Sequence, residues 1–222
     1  MELYDRENGS GIFIQIGASA GDLNKDANYN DGFTSFVKSL PKNRIKKIVL
    51  VEPNPINIPL LIECWKEYSE LVVIYEIGIV PKNYVTDTID FYYNPNDGHH
   101  YPVASIKKEH IFKHYGDDCE LVKIVIKTRN LESLINEIIT ETEYVELLAL
   151  DIEGIDAEII LDLDFNKTKI KYLSFEFIHL GEKIHAVCGH LYNNNFICLG
   201  YGVDHNNYDA LVVNLSILNQ TI

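Results

Sequence analysis

Ile12-Phe13-Ile14-Gln15-Ile16-Gly17-Ala18-Ser19-Ala20-Gly21-Asp22 carries an apolar, β-branched run straight into a turn of small residues. The run predicts a strand, and the turn predicts a place where exposed backbone approaches a ligand without side-chain clash. Outward from this stretch, similar runs recur at Ile48 to Val51, Leu71 to Ile77, Val122 to Lys127, Val145 to Leu150, Tyr172 to Phe177, Phe196 to Tyr201 and Ala210 to Leu215. Several are continuous hydrophobics, the pattern of parallel strands covered on both faces by helices. Amphipathic stretches near 31–40, 59–69, 105–114, 131–141, 155–163 and 181–194 supply those helices, and the Gly/Asn/Asp-rich segment from Gly200 to Asn207 predicts an antiparallel hairpin between the last two strands. The expected fold is α/β: a doubly wound, mostly parallel sheet closing in that hairpin, with a ligand beyond the carboxyl ends of the strands. With no repeat, linker or low-complexity tract, residues 1–222 read as a single domain.

The chain's 222 residues are 46% hydrophobic, enough for a sizeable core, which excludes disorder. Its net charge of -14 repels polyanions, so nucleic acid is not an expected partner. Cys64, Cys119, Cys188 and Cys198 form no CxxC pair and read as reduced thiols. No apolar run reaches the ~18 residues of a membrane span, and residues 1–11 lack the apolar core of a secretory signal. A cytoplasmic protein is expected. His185, Cys188, His190 and Cys198 do not form a zinc site, because positions 188 and 190 point to different helix faces. Trp65, with Leu61 and Tyr68 on one helical face, reads as core.

Two acids stand where strands deliver them to the ligand edge. Val51-Glu52-Pro53-Asn54-Pro55 ends the second strand with a carboxylate that can accept both hydroxyls of a ribose. Leu148-Ala149-Leu150-Asp151-Ile152-Glu153-Gly154 ends a later core strand with another. Burying Asp151 unpaired would cost several kcal/mol, so it is either a functional carboxylate or the cap of the next helix. Glu153 and Asp156 fit the first turn of that helix through its dipole as well as they fit a function. A dinucleotide fingerprint would need GxGxxG, whereas only Gly17 and Gly21 are glycines here.

Together these stretches resemble the FkbM family of S-adenosylmethionine-dependent methyltransferases, from about Phe13 to Val213. Phe13-Ile-Gln-Ile-Gly-Ala looks like the family's glycine motif, Val51-Glu-Pro-Asn-Pro its second motif, and Leu150-Asp-Ile-Glu-Gly its Asp-x-Glu-Gly motif. Weaker similarities lie at Asn130-Leu-Glu-Ser-Leu, Ser105-Ile-Lys-Lys-Glu-His and Phe175-Glu-Phe-Ile-His-Leu. Many relatives carry Asp where Gln15 stands, Asn where Ser19 stands, and Lys where this chain has Ala149. The resemblance implies a Rossmann-like class I methyltransferase sheet and transfer of a methyl group from S-adenosylmethionine to a hydroxyl, of a sugar or glycan or another small-molecule acceptor. It implies that Gly17, Ala18 and Gly21 pack under the methionine part of the cofactor, that Glu52 holds the ribose and that Ile77 and Gly78 border the adenine.

An alcohol acceptor must lose its proton near the transition state, which calls for a general base or a metal. Asp151, Glu176 and His179 are the candidates: Asp151 and His179 as catalytic groups, all three as ligands of Mg²⁺ or Mn²⁺. Asn94-Pro-Asn-Asp-Gly-His-His-Tyr-Pro reads as a lid over the ligand edge, with His99 and His100 as substrate contacts or solvated side chains. Asp31, Ser105 and Asp209, in family-like segments, are further candidates for the acceptor pocket. The rival readings are a methyltransferase-fold scaffold without turnover and a nicotinamide-dependent oxidoreductase.

Overall fold

The computed structural model of the chain describes residues 10–23, 31–96, 103–152, 154–178, 180–203 and 208–219. Its strands are β1 (Gly11–Ile16), β2 (Ile45–Val51), β3 (Val72–Tyr75), β4 (Gly78–Ile79), β5 (Thr88–Tyr93), β6 (Ala104–Ser105), β7 (Val122–Arg129), β8 (Val145–Leu150), β9 (Ile170–Glu176), β10 (Phe196–Tyr201) and β11 (Asp209–Asn214). The helices are α1 (Gly32–Ser39), α2 (Ile58–Cys64), α3 (Lys108–Tyr115), α4 (Leu131–Ile138), α5 (Asp156–Asp162), α6 (Phe165–Thr168), α7 (Ile184–Asn193) and α8 (Leu215–Leu218). No helix among the described residues is long and apolar enough to cross a membrane.

Seven strands form the main sheet in the order β10-β11-β9-β8-β1-β2-β3. β3, β2, β1, β8 and β9 run parallel, and β11 and β10 close the sheet antiparallel. This is the expected α/β class. Strand order reverses between β1 and β8, so the crevice beyond their carboxyl ends is the switch point at which such sheets bind ligands. Every residue of β1 and of β8 is buried, as strands sandwiched between helix layers require. On one face Ile12, Ile14, Ile16, Val49 and Val51 pack with Leu134 and Ile135 of α4, Ile159 and Ile160 of α5 and Val187 of α7. On the other, Phe13, Ile48 and Leu50 pack with Phe33 and Val37 of α1, Leu61 of α2 and Trp65. Trp65, Leu61 and Tyr68 are core, as their spacing predicts.

The segment from Val122 to Lys127 does not join the main sheet. It belongs to β7 in a second sheet of order β4-β7-β5-β6, in which β5 pairs antiparallel with β7 and with β6. The physical reason lies in its alternation: Lys123, Val125 and Lys127 face solvent while Ile126 turns inward, the pattern of a sheet with one wet face. The stretch from Leu71 to Ile77 likewise stops early, because the chain leaves the main sheet at Tyr75 and enters the second sheet at Gly78. The helix expected at 59–69 ends at Cys64 and continues as a 3₁₀ turn from Lys66 to Tyr68.

Candidate functional site

The turn after β1 is tied to both neighbouring strands. Gly17 and Ala18 donate backbone hydrogen bonds to the Val51 carbonyl at 2.9 and 3.0 Å, and Asp151 N–H donates to the Ile16 carbonyl at 3.1 Å. Gly17 has φ +83°, and a Cβ there would lie 1.8 Å from the Asp151 carbonyl oxygen, so nothing larger than glycine fits between β1 and β8. Ser19 also has positive φ, +46°, and its N–H donates to Glu52 Oε2 at 2.8 Å. The acid at the end of β2 therefore holds the strained turn in place.

Glu52 is 5% exposed. Its other oxygen accepts from Asn54 N–H at 2.8 Å and Asn57 Nδ2 at 3.3 Å. Burial raises its pKa to about 7 against the opposing effect of these bonds. Because the Asn57 amide nitrogen faces a carboxylate, its Oδ1 is left as an acceptor. That oxygen is buried and has no hydrogen-bond partner among the described residues. Asn57 borders the cleft and is a binding candidate that the sequence reading missed. Its signal was the spacing from Glu52, five residues on, across a proline turn that folds back.

A cleft of about 160 Å³ lies at the switch point, many times the ~10–15 Å³ that one water needs. Gly17, Ser19, Glu52, Asn57, Ile77, Gly78, Asp151 and Glu176 line it from the main sheet and its loops. Phe91, Ala104, Ser105, Ile106 and Ile126 close it from the second sheet and the turn that follows β6. A Cβ on Gly78 would meet Ile126 Cδ1 at 2.6 Å, so the two sheets meet closely here. Sequence reasoning missed Phe91 and Ile126, because that wall exists only once β5 pairs with β7.

The structure brings Gly17, Glu52, Ile77, Gly78, Ser105, Asp151 and Glu176 to this one cleft. Ala18 is instead buried beside a smaller recess of about 20 Å³, which Gln15, Asp31, Ala149, Asp151 and Asp209 also line. Gly21 lines neither: a Cβ there would press on Cys64 Sγ at 2.7 Å, a packing constraint beneath the turn. Asp31 caps α1, accepting from Thr34 N–H at 3.1 Å, from the Thr34 hydroxyl and from Gln15 Nε2 at 2.9 Å. Burial raises Asp31 to about 6. Asp209 accepts from Ser174 Oγ at 3.2 Å. Glu153, His99, His100 and His179 lie outside the described residues. Asp156, 1% exposed, accepts from Ile152 N–H at 3.1 Å and so holds the turn that follows Asp151. Lys107 Nζ donates to the Gly154 carbonyl at 2.8 Å, pinning the same turn from α3's leading edge. Among the described residues no group of three or more His, Cys, Asp or Glu is placed to hold a metal ion. His190 packs on Phe165 with ring centroids 5.4 Å apart, as ordinary packing predicts.

The family model for the methyltransferase FkbM domain matches residues 15–198. The chain belongs to the FkbM methyltransferase domain family. Among solved structures, the methyltransferase FkbM from Methylobacillus flagellatus KT is 15% identical, with 92% of this chain and 43% of that one covered at a TM-score of 0.50. This FkbM domain thus spans less than half the length of that protein. Human methyltransferase 10 domain containing protein is 7% identical over 95% of this chain and 76% of that one, at a TM-score of 0.49. Aeropyrum pernix fibrillarin, in complex with natively bound S-adenosyl-L-methionine, is 12% identical over 93% and 66%, at 0.42. At these identities the likeness is one of fold. No curated protein matches the chain.

Gln15 on β1 and Ala149 on β8 are register partners.

Proposed function

We propose that this FkbM domain is an S-adenosylmethionine-dependent O-methyltransferase acting on a hydroxyl group of a sugar or glycan. One observation carries the reading: the Gly17 turn, Glu52, the Ile77-Gly78 step and Asp151, distant in sequence, border a single cleft at the switch point of the sheet. The residues present fit the cofactor. Glu52 and the Asn57 Oδ1 acceptor suit the two ribose hydroxyls, and Ile77, Ile79, Phe91 and Ile126 offer apolar walls for a purine. Gly17 lets the backbone approach closely.

When bound, the sulfonium supplies an activated methyl group. The protein's work is to align an acceptor oxygen with it and to exclude water, so that much of the rate comes from near-attack geometry. Asp151, delivered by β8 to the cleft edge, accepts the hydroxyl proton as the oxygen–carbon bond forms. The Asp156 and Lys107 contacts fix the turn that carries it. Among the described residues, Asp151 and Glu176 would leave most of a six-coordinate Mg²⁺ or Mn²⁺ shell to other groups. A net charge of -14 favours a neutral or cationic acceptor over a nucleic acid.

Calorimetric titration tests the reading: saturable binding of S-adenosylmethionine and S-adenosylhomocysteine, with none of NAD(H), is expected. Absence of binding by either sulfur nucleoside removes it. Methyl transfer to a saccharide panel, with and without EDTA, then identifies the acceptor and tests for metal.

A further inference from the structure

The chain from Ile184 to Val203 contains no Asp, Glu, Lys or Arg, although 23% of all residues are charged. This run folds into α7 and β10, at the antiparallel end of the main sheet. Much of it is nevertheless exposed. On β10, Ile197 and Leu199 are each 42% exposed and Tyr201 65%; Tyr192 of α7 is 77% exposed. Cys188 and Gly189 add small exposed residues on the same helix.

β10 pairs with β11 on its inner side and, among the described residues, with no strand on its outer side. The backbone bonds of Ile197 to Tyr201 run to β11, so the outer row of N–H and C=O groups faces solvent. Such an edge is a template for another strand, and natural edges are protected by shortness, charge, proline, a bulge or a covering segment. The other sheet ends are short: β3 has four residues, flanked by Glu70 and Glu76, and β4 and β6 have two each. β10 has six, with no charge and no proline, and its exposure leaves no room for a cover. Of the protective devices it carries only a bulge, between Cys198 and Gly200.

We infer that β10 joins two copies of this chain, paired antiparallel across a two-fold axis, with α7 of each copy flanking the joint. Unpaired backbone calls for a strand, and an antiparallel edge is complementary to its own copy, each donor meeting the copy's acceptor. Charge selects the copy. A net charge of -14 sets two copies against each other over most of their surface, and the charge-free run is where they approach with least repulsion. A strongly charged partner finds no countercharge there. The joint makes one continuous sheet of the two main sheets and, being antiparallel, puts the two clefts at its opposite edges. Both clefts stay open, because β10 lies three strands from β8, about 14 Å at ~4.8 Å per strand.

Sedimentation equilibrium of the full chain tests the joint. The wild type is expected to sediment at twice the chain mass, and to associate more tightly as salt rises from about 0.05 to 0.5 M, because salt screens the repulsion between copies. Leu199→Lys puts like charges on both sides of the joint and should weaken the dimer at least about 100-fold. Leu199→Glu should do the same, and mixing the two variants should restore a pair, as a contact between identical strands requires. Circular dichroism checks that each variant keeps its fold, and Ile197→Lys replaces any variant that does not. A wild type that stays monomeric up to about 100 μM leaves the edge to another partner and overturns the inference. So does a dimer that weakens with salt, one that survives the lysine, or a failure of the Lys and Glu variants to recombine.

Discussion

Lowering the pH from 8 to 5.5 is expected to weaken S-adenosylhomocysteine binding through Glu52. In the ligand-free protein, burial raises this carboxyl to about 7. A ribose diol donates to the ionised form, so the bound pKa falls and protonation competes with the ligand. The free group is charged above pH 7, where affinity is at its plateau; below pH 7 affinity falls toward a decade per unit. With a bound pKa below about 5, the loss from pH 8 to 5.5 is about 30-fold, or ~2 kcal/mol. Calorimetry in two buffers of different ionisation enthalpy reads the same event directly, as about 0.9 proton released per ligand at pH 6. Glu52→Gln removes the titrating group and its charged hydrogen bonds: the profile flattens, and affinity at pH 8 drops about 10–100-fold. Binding by the wild type that is independent of pH, with no proton release, refutes the assignment of Glu52 as the ribose partner.

Gly17→Ala, with its Cβ 1.8 Å from the Asp151 carbonyl at φ +83°, must force β1 and β8 apart; about 3 kcal/mol, or roughly 6–12 °C in Tm, is expected by calorimetry. An unchanged melting point sinks that argument. Asp151→Asn is expected to lower turnover ~10²–10⁴-fold while S-adenosylhomocysteine still binds; undiminished turnover dismisses Asp151 as the base and favours no other role for it. Asn57→Leu, which deletes the unpartnered Oδ1, should weaken S-adenosylhomocysteine about tenfold, read by titration at pH 8. Asp31, raised from 3.8 to about 6 by burial, favours the folded state below pH 4 and loses that contribution as pH rises through 6. Denaturant melts should show about 2.4 kcal/mol less stability at neutral pH than at pH 4 from this group, with a flatter profile in Asp31→Asn.

The main sheet was legible because its strands are buried on both faces. Continuous runs such as Val145 to Leu150 admit few readings, and the acids that end them, Glu52 and Asp151, stand out against the apolar background. The second sheet was not. Its longest strand, β7, is as β-branched as the others, and only the outward lysines at 123 and 127 distinguish it. Phe91 and Ile126 were invisible as cleft residues for a related reason: nothing local to them marks a ligand, and their place in the wall arises from a strand pairing across tens of residues. At Gly21 the structure adds a second reason for a glycine beside the turn, since a side chain there would press on Cys64 Sγ.

Periodicity and strand-end chemistry are local, so the sequence by itself determined the α/β class, the parallel core, the closing hairpin and the two acids at the ligand edge. Which strands share a sheet is decided by long-range pairing, and only the tertiary structure assigned β7 to the wall of the cleft. It alone also set Gln15 opposite Ala149 and gathered Asp31, Asp151 and Asp209 around one small recess, because burial and proximity between distant segments are properties of packing that no short stretch of chain encodes.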